Sequence, residues 1–354
     1  MKSFIDIERT LSSQPARLGA RIARIDTGRG REELYADQLP ELLRALAQQS
    51  RIESITASSA IEDVIVEAAR AEKIAEEGEA AKPRTRNEEE FAGYRDAIDE
   101  IFRAERQEPM SVPLILRIHR RLYQHTEISG GRFKQDENYI GNRNPDGSIT
   151  QIFDTVPKRL TEFYVAELVE RYNAAVKDGA GHPLLLIGAF ILDFLAIHPV
   201  GDGNGRVSRI LTTQMLLHQG YSVPRYVSIE GRIFETKNSY YDALEASQRD
   251  WHEGGHDIWP WITYLVETLA ESYDIFEQRI SARRGLETMS KQEQVRAYVL
   301  EHGAPEFHIR QLKRALPGIS EPTIRVVLNK LKREGKIRPS GRGPQAVWNR
   351  ADTP

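Results

Sequence analysis

His198-Pro199-Val200-Gly201-Asp202-Gly203-Asn204-Gly205-Arg206-Val207-Ser208-Arg209 carries the densest chemistry in this 354-residue chain. It follows an apolar run, Leu184 to Ile197, whose one charged residue is Asp193. That run is too short to span a bilayer and reads as a buried helix. The alternating glycines Gly201, Gly203 and Gly205 let the backbone turn sharply and approach a ligand with no Cβ in the way. A new helix is predicted from near Arg206, and the free N–H groups at its start form a cradle for anions. Arg206 and Arg209 lie three apart on one face and can fork onto phosphate oxygens. Asp202 is a hard oxygen ligand suited to Mg2+, which takes one or two carboxylates beside substrate phosphates. His198 can be neutral near pH 7 and accept a proton from an attacking hydroxyl.

Each piece also has a plain reading. A His beside a Pro is commonly structural, and a Gly-rich loop is commonly only a turn. Two arginines in a first helical turn oppose the helix dipole unless an anion is present, which favours a ligand. Together the residues supply what phosphate-centred transfer requires: a base, a metal ligand, an anion cradle and two guanidiniums.

Outward from this loop the pattern is mostly helical. Leu39 to Ile52 has a 3.6-residue apolar period, and a second helical run is predicted from near Ala60. Lys82-Pro83-Arg84-Thr85-Arg86 reads as a connector. Asn87 to Arg103 resumes as helix, and Ser111-Val112-Pro113 signals the start of the next. Glu137 to Gly141 and Thr150 to Asp154 flank Asn144-Pro145-Asp146-Gly147-Ser148, which predicts a β-hairpin. Further helices are predicted at Arg159 to Val176, Pro183 to Ile197, Arg206 to Gln219, Phe234 to Gln248, and from Trp259 towards Arg283. Three short helices (near Lys291–Glu301, His308–Ala315 and Ser320–Glu334) then lead to Lys336-Ile337-Arg338, Gly341-Arg342-Gly343 and Ala346-Val347-Trp348. Three helices followed by a small hairpin is the winged helix-turn-helix arrangement.

Composition bounds the function classes. The chain is 40% hydrophobic and 29% charged, which excludes a disordered or fibrous protein. It has no cysteine, which excludes thiolate zinc sites and Cys nucleophiles and fits a reducing compartment. With no signal-like apolar start and no membrane span, the expectation is a cytoplasmic protein. The net charge of −3 conceals an asymmetry, because residues 290–350 hold 13 Lys+Arg against 5 Asp+Glu. A basic module on an acidic body suggests two tasks, one of them at a nucleic acid.

The segment 198–209 resembles the signature of the Fic (filamentation induced by cAMP) family, His-Pro-Phe-x-Asp/Glu-Gly-Asn-Gly-Arg-x-x-Arg. It departs only at Val200, where the family has Phe, an anchoring position rather than a reacting one. The resemblance implies a mainly α fold, a helical core with a β-hairpin flap, here joined to the winged helix-turn-helix module. It implies four parts: an N-terminal helical region at 1–108, the catalytic core at 109–270, a helical connector at 271–289 and the winged module at 290–354. The implied activity is protein adenylyltransfer, moving AMP from Mg-ATP to a Ser, Thr or Tyr hydroxyl of a protein. His198 would be the base and Asp202 the Mg2+ ligand. Gly203, Asn204 and Gly205 would hold the α-phosphate, and Arg206 and Arg209 the outer phosphates. Asn238, Tyr240 and Tyr241 resemble the region near adenine, although adjacent tyrosines in a helix are also ordinary core and surface. The hairpin, with Tyr139, Ile140 and Gly141, resembles the flap that pairs with a target backbone, or is simply structural.

Ser58-Ser59-Ala60-Ile61-Glu62-Asp63 resembles the family's inhibitory motif, Ser/Thr-x-x-x-Glu-Gly/Asn, with Asp63 in the last place. The resemblance implies that Glu62, preceded by Ser58, pairs with Arg209 and blocks productive ATP placement. Relatives of this layout also imply a homodimer. In the tail, Arg325, Lys330, Lys332 and Arg333 with Thr323 and Asn329 could reach DNA, or form a solvated or protein-docking face. The rival functions are a DNA-binding regulator whose nucleotide site only senses, and a Fic enzyme of de-adenylylation or other phosphate-group transfer.

Overall fold

The computed structural model describes residues 1–143, 148–287, 290–316, 318–340 and 346–351. The predicted turn at Asn144-Pro145-Asp146-Gly147 and the predicted wing tip at Gly341-Arg342-Gly343 lie outside the described residues. The fold is mainly helical with two small antiparallel sheets. No helix among the described residues is long and apolar enough to cross a membrane. Two compact units divide the chain: Met1–Gly30 with Ser50–Tyr273, and Arg31–Gln49 with Asp274–Pro354.

The N-terminal helices are α1 (Ile7–Ser12), α2 (Ala16–Gln38), α3 (Pro40–Ile61) and α4 (Ala68–Glu77). Neither α1 nor α2 stands out in the sequence. In α2 the buried Leu18, Ile22 and Ile25 are scattered among arginines and glycines. Gly28 belongs there because the Tyr273 ring fills the place of a Cβ, 2.3 Å away. The predicted break between a helix ending at Ile52 and another starting near Ala60 is corrected, since α3 runs unbroken to Ile61. Its buried face changes from leucines to serines, which hides the apolar period. Ser50 donates to the Pro224 carbonyl (3.2 Å), and Ser54 donates to Ser228 (2.9 Å) and Glu230 (2.8 Å).

Next come α5 (Arg86–Arg103) and α6 (Val112–Leu122), capped by the Thr85 and Ser111 hydroxyls, of which the sequence signals only the start at Ser111. The strands β1 (Tyr139–Arg143) and β2 (Ile149–Asp154) pair antiparallel, with a bulge after Ile140. Then follow α7 (Lys158–Asp178), α8 (Pro183–Ile197), α9 (Asn204–His218), α10 (Ile229–Glu235), α11 (Lys237–Gln248) and α12 (Trp259–Glu287). The single helix predicted for Phe234–Gln248 is two, broken at Thr236 (φ −115°, ψ 31°), whose hydroxyl and N–H both donate to the Arg232 carbonyl. Helix α8 is the core of its unit, buried from Leu184 to Ile197 and packed against α7 and α9. Asp193 is tolerated within it because Ser3 and Trp251 Nε1 donate to its carboxylate, while burial raises its pKa.

The C-terminal stretch contains α13 (Lys291–Ala297), β3 (Glu306–His308), α14 (Ile309–Ala315), α15 (Glu321–Arg333), β4 (Ile337–Ser340) and β5 (Val347–Arg350). The sheet order is β3-β5-β4, antiparallel throughout. Leu312, Ile324, Leu328, Leu331 and Ile337 share its core with Phe307 of β3, a strand the sequence pattern does not announce.

At Gly93 of α5, a Cβ would stand 1.9 Å from the Leu122 carbonyl oxygen of α6. Gly→Ala inside a helix ordinarily stabilises by about 1 kcal/mol. Here Gly93→Ala should destabilise by about 1–3 kcal/mol through overpacking. Urea unfolding measures this, and a midpoint equal to or above that of the parent would mean that the two helices do not meet so closely.

Candidate active site

Two helices and the turn between them build the site. Helix α8 ends at His198, whose backbone is left-handed (φ 52°, ψ 60°), an uncommon conformation for a residue with a Cβ. This aims the imidazole back over its own helix. Nδ1 lies 3.2 Å from the Leu195 carbonyl, which can only accept, so the proton sits on Nδ1 and the Nε2 lone pair is free. Burial lowers the His198 pKa to about 4, against the raising effect of that carbonyl, and the ring is neutral at pH 7.

The turn is tied from inside. Val200 is fully buried, so the smaller side chain still occupies the anchoring place. Its N–H donates to Asn204 Oδ1 (3.0 Å), and its carbonyl accepts from Asn204 Nδ2 (2.8 Å). Lys134 and Asn138 tie it from the other side. Asn138 Nδ2 donates to the Val200 carbonyl at 3.0 Å, and the Lys134 ammonium donates to Asn138, Thr155 and the Ile197 carbonyl. Burial lowers the Lys134 pKa to about 8. Gly203 (φ 82°) opens α9, and a Cβ there would meet the Tyr123 hydroxyl at 2.9 Å. The first-turn amides of α9 have no acceptor within the helix.

Both arginines are buried, and each is met by a carboxylate: Arg209 by Glu62 in the turn just after α3, and Arg206 by Glu90 of α5. Arg209 donates through Nε to Ser58 Oγ (2.8 Å) and through Nη2 to the Ser58 carbonyl (3.1 Å) and Glu62 Oε1 (2.8 Å). Its Nη1 has no hydrogen-bond partner. Burial opposes its charge most, but Glu62, Tyr240 and Tyr94 together raise the pKa. Arg206 donates through Nη1 to Glu90 Oε2 (2.7 Å) and through Nη2 to Tyr123 Oη (2.8 Å). Asp202, by contrast, has a side chain 56% exposed and bonds its own loop at the Gly203 N–H (2.7 Å). Among the described residues no three His, Cys, Asp or Glu side chains cluster as a metal cage. A single open carboxylate beside a guanidinium and the free amides at the start of α9 fits Mg2+, which completes its shell with phosphate oxygens and water.

Glu62 and Ser58 are thus brought to Arg209. Asp63 ends α3 in the left-handed conformation (φ 58°), which suits Gly or Asn better and accounts for those residues in the motif it resembles. Gly205 is needed here too, because a Cβ on it would stand 2.3 Å from Glu62 Oε1. Asn238 and Tyr241 lie exposed on α11, whereas Tyr240 is buried and bears on Arg209. Tyr139 is exposed on β1, with Ile140 and Gly141 at the bulge. The sequence reading missed Glu90, Tyr123, Lys134 and Asn138. It also missed His119, a buried ring whose Nδ1 accepts from the Gly131 N–H (3.1 Å), leaving Nε2–H without a partner.

A helical core with a hairpin beside this loop defines a class. Residues 109–216 match the Fic/DOC family, and the chain carries a Fic domain. Over 166 residues it is 27% identical to the protein adenylyltransferase Fic of Drosophila yakuba, covering 46% of this chain and 28% of that protein. Over 163 residues it is 28% identical to that of Culex quinquefasciatus, with the same coverage. The match thus spans little more than a quarter of those relatives. Among solved structures, a Fic family protein from Desulfovibrio desulfuricans G20 is similar over 97% of this chain and 98% of its own, at 21% identity and TM-score 0.59. Fic-1 from C. elegans is similar over 78% of this chain and 74% of its own, at 18% identity and TM-score 0.58.

An NMR titration of the His198 ring should give a midpoint at about 4, below the ordinary 6.5. Above that midpoint the ring is neutral, so lowering the pH through 6.5 should leave it uncharged; a midpoint above 6 would contradict the buried placement.

Proposed function

We propose that this chain is a protein adenylyltransferase, moving AMP from Mg-ATP to a Ser, Thr or Tyr hydroxyl and restrained by Glu62. The observation that carries this reading is the neutral His198 ring, its Nε2 lone pair free, set one turn away from two buried arginines. Nε2 takes the proton of the target hydroxyl, whose oxygen attacks the α-phosphorus. A new P–O bond forms as the bond to the bridging oxygen breaks, and pyrophosphate leaves. The first-turn amides of α9 near Gly203 and Gly205 face the charge that develops on the α-phosphate. Asn204 contributes by shaping the turn, since both ends of its amide are bonded to Val200. Asp202 is the residue that would hold Mg2+, which offsets phosphate charge when bound. Asn238 and Tyr241 are the candidates for the adenine side, and the β1 edge from Tyr139 to Gly141 for the target backbone. The proteins named adenylyltransferase among those similar to the matched region support the assignment.

Glu62 acts as the brake because one guanidinium cannot serve a carboxylate and a γ-phosphate at once. Its side chain is 31% exposed while that of Arg209 is 3% exposed, so the acid can leave and the base stays. Full-length Glu62→Gly protein incubated with Mg-ATP should carry AMP on itself or on lysate proteins about tenfold or more above the parent, by mass spectrometry. Adding His198→Ala should abolish the adduct while folding and ATP binding persist. Equal labelling of parent and Glu62→Gly would remove the brake, and labelling that survives His198→Ala would remove the base.

A second reading concerns residues 290–350, where α15 exposes Arg325, Asn329, Lys330, Lys332 and Arg333, followed by Lys336 and Arg338. Among the described residues, no ion-pair partner falls to Lys330, Lys332 or Arg333, whereas Arg325 is held by Glu321 (2.7 Å). A three-helix module with this basic face fits the winged-helix mode of DNA binding. The parent chain should then bind duplex DNA with affinity that falls steeply from 50 to 200 mM salt. No binding at the lower salt would leave the module a protein-docking or solvated face.

A further inference from the structure

Glu62, in the turn after α3, and Glu90, on α5, occupy matching places: each is a carboxylate set on one of the two arginines of α9. Their surroundings differ. Glu62 pairs with Arg209, and its side chain is 31% exposed. Glu90 is 7% exposed and Arg206 4%. Its second oxygen accepts from Arg86 Nε at 2.9 Å, so it is gripped from both sides. Arg206 is in turn fixed against Tyr123, through the hydroxyl and with its guanidinium carbon 5.4 Å from the ring centre. Its Nη2 lies 3.9 Å from Asp202.

Two consequences follow from elementary electrostatics. A buried carboxylate 2.7 Å from a guanidinium cancels most of its charge as felt by an approaching anion. The same carboxylate, with Tyr123, removes the rotamer freedom of Arg206 and leaves its Nε–H, which has no partner, in a fixed direction. Glu90, 7% exposed, has no open route to water, so this contact is fixed, whereas Glu62, 31% exposed, can turn to water once an anion takes its place on Arg209.

We infer that Glu90 is a positioning residue for the proposed AMP transfer: it holds Arg206 in place beside Asp202 and, by neutralising it, weakens ATP binding while favouring turnover. The inference rests on the adenylyltransferase reading for its kinetic half and on nucleotide binding alone for its electrostatic half. Releasing Glu62 then leaves Arg209 as the guanidinium whose charge is newly available to the triphosphate.

The test uses the full chain carrying Glu62→Gly, with and without Glu90→Gln. Affinity for Mg-ATP is measured by calorimetry after adding His198→Ala to both, so that no turnover intervenes, and turnover is measured as AMP adduct at saturating ATP without that change. Glu90→Gln should bind Mg-ATP about fivefold tighter and turn over about tenfold more slowly, a split that general damage to the fold does not produce. Affinity that is unchanged or weaker, or turnover that is not reduced, overturns the inference. Should Glu90→Gln fail to fold, Tyr123→Phe keeps the ring and removes only the hydroxyl that holds Arg206. It should slow turnover several-fold at unchanged ATP affinity, and parental turnover or a parallel loss of both would overturn the inference. If the Glu62→Gly parent itself forms no adduct, the adenylyltransferase reading falls, and the Mg-ATP affinity comparison alone decides whether Glu90 neutralises Arg206.

Discussion

A guanidinium with 3% of its side chain exposed must have a counter-charge, and Arg209 finds one in the turn after α3. That requirement organises the site. Helix α9 cannot bury Arg209 beside the apolar α8 unless α3 brings Ser58 and Glu62 across to it. Glu62 cannot come within 2.8 Å unless residue 205 lacks a Cβ. The chain then has to turn out of α3 at once, which places Asp63 in a left-handed conformation. One buried charge thus accounts for a glycine, a left-handed aspartate and the position of α3.

The way α3 is held bears on whether it can let go. Its buried face in this region is a ladder of Ser50, Ser54 and Ser58 at four-residue spacing, each hydroxyl bonded to a group of the catalytic unit. A leucine at such a position contributes about 1.5–3 kcal/mol by burial, whereas a net hydrogen bond contributes about 0.5–1.5 kcal/mol because water replaces it on release. The serines therefore hold this face less firmly than leucines at the same three positions would, and Ile55 and Ile61 supply its apolar contacts. The partner groups it leaves behind, Glu230 and Arg209, can be solvated or take a ligand.

What the sequence disclosed and what it hid divide along a physical line. The turn from His198 to Arg209 was legible because its chemistry needs rare residue types at fixed places, and few structural reasons assemble them together. Glu62 became legible only through its spacing from Ser58 and its company with that turn. Glu90 was invisible, since a glutamate in the run Glu88-Glu89-Glu90 reads as a solvated face until a folded partner buries it. Lys134 and Asn138 were hidden for the same reason: they act through backbone carbonyls, and nothing in a sequence records which carbonyl a side chain will reach. Helix α3 was read too short because its inner face is polar, and periodicity arguments see only apolar stripes.

The two carboxylate–arginine pairs also bear on why a transferase would keep one of them permanently. A site that binds ATP as tightly as its charges allow gains nothing in rate if the ground state is held as well as the transition state. Charge that builds on the α-phosphate during transfer lies at the turn, near the fixed amides of Gly203 and Gly205, whereas charge on the outer phosphates is present from the start. On the proposed reading, neutralising Arg206 with Glu90 would remove attraction from the part of the substrate that does not change, while leaving the α9 amides at full strength where charge would develop. On that reading, the acid on Arg209 and the acid on Arg206 would be two separate adjustments, one deciding whether the triphosphate seats and the other how loosely it is held once it has.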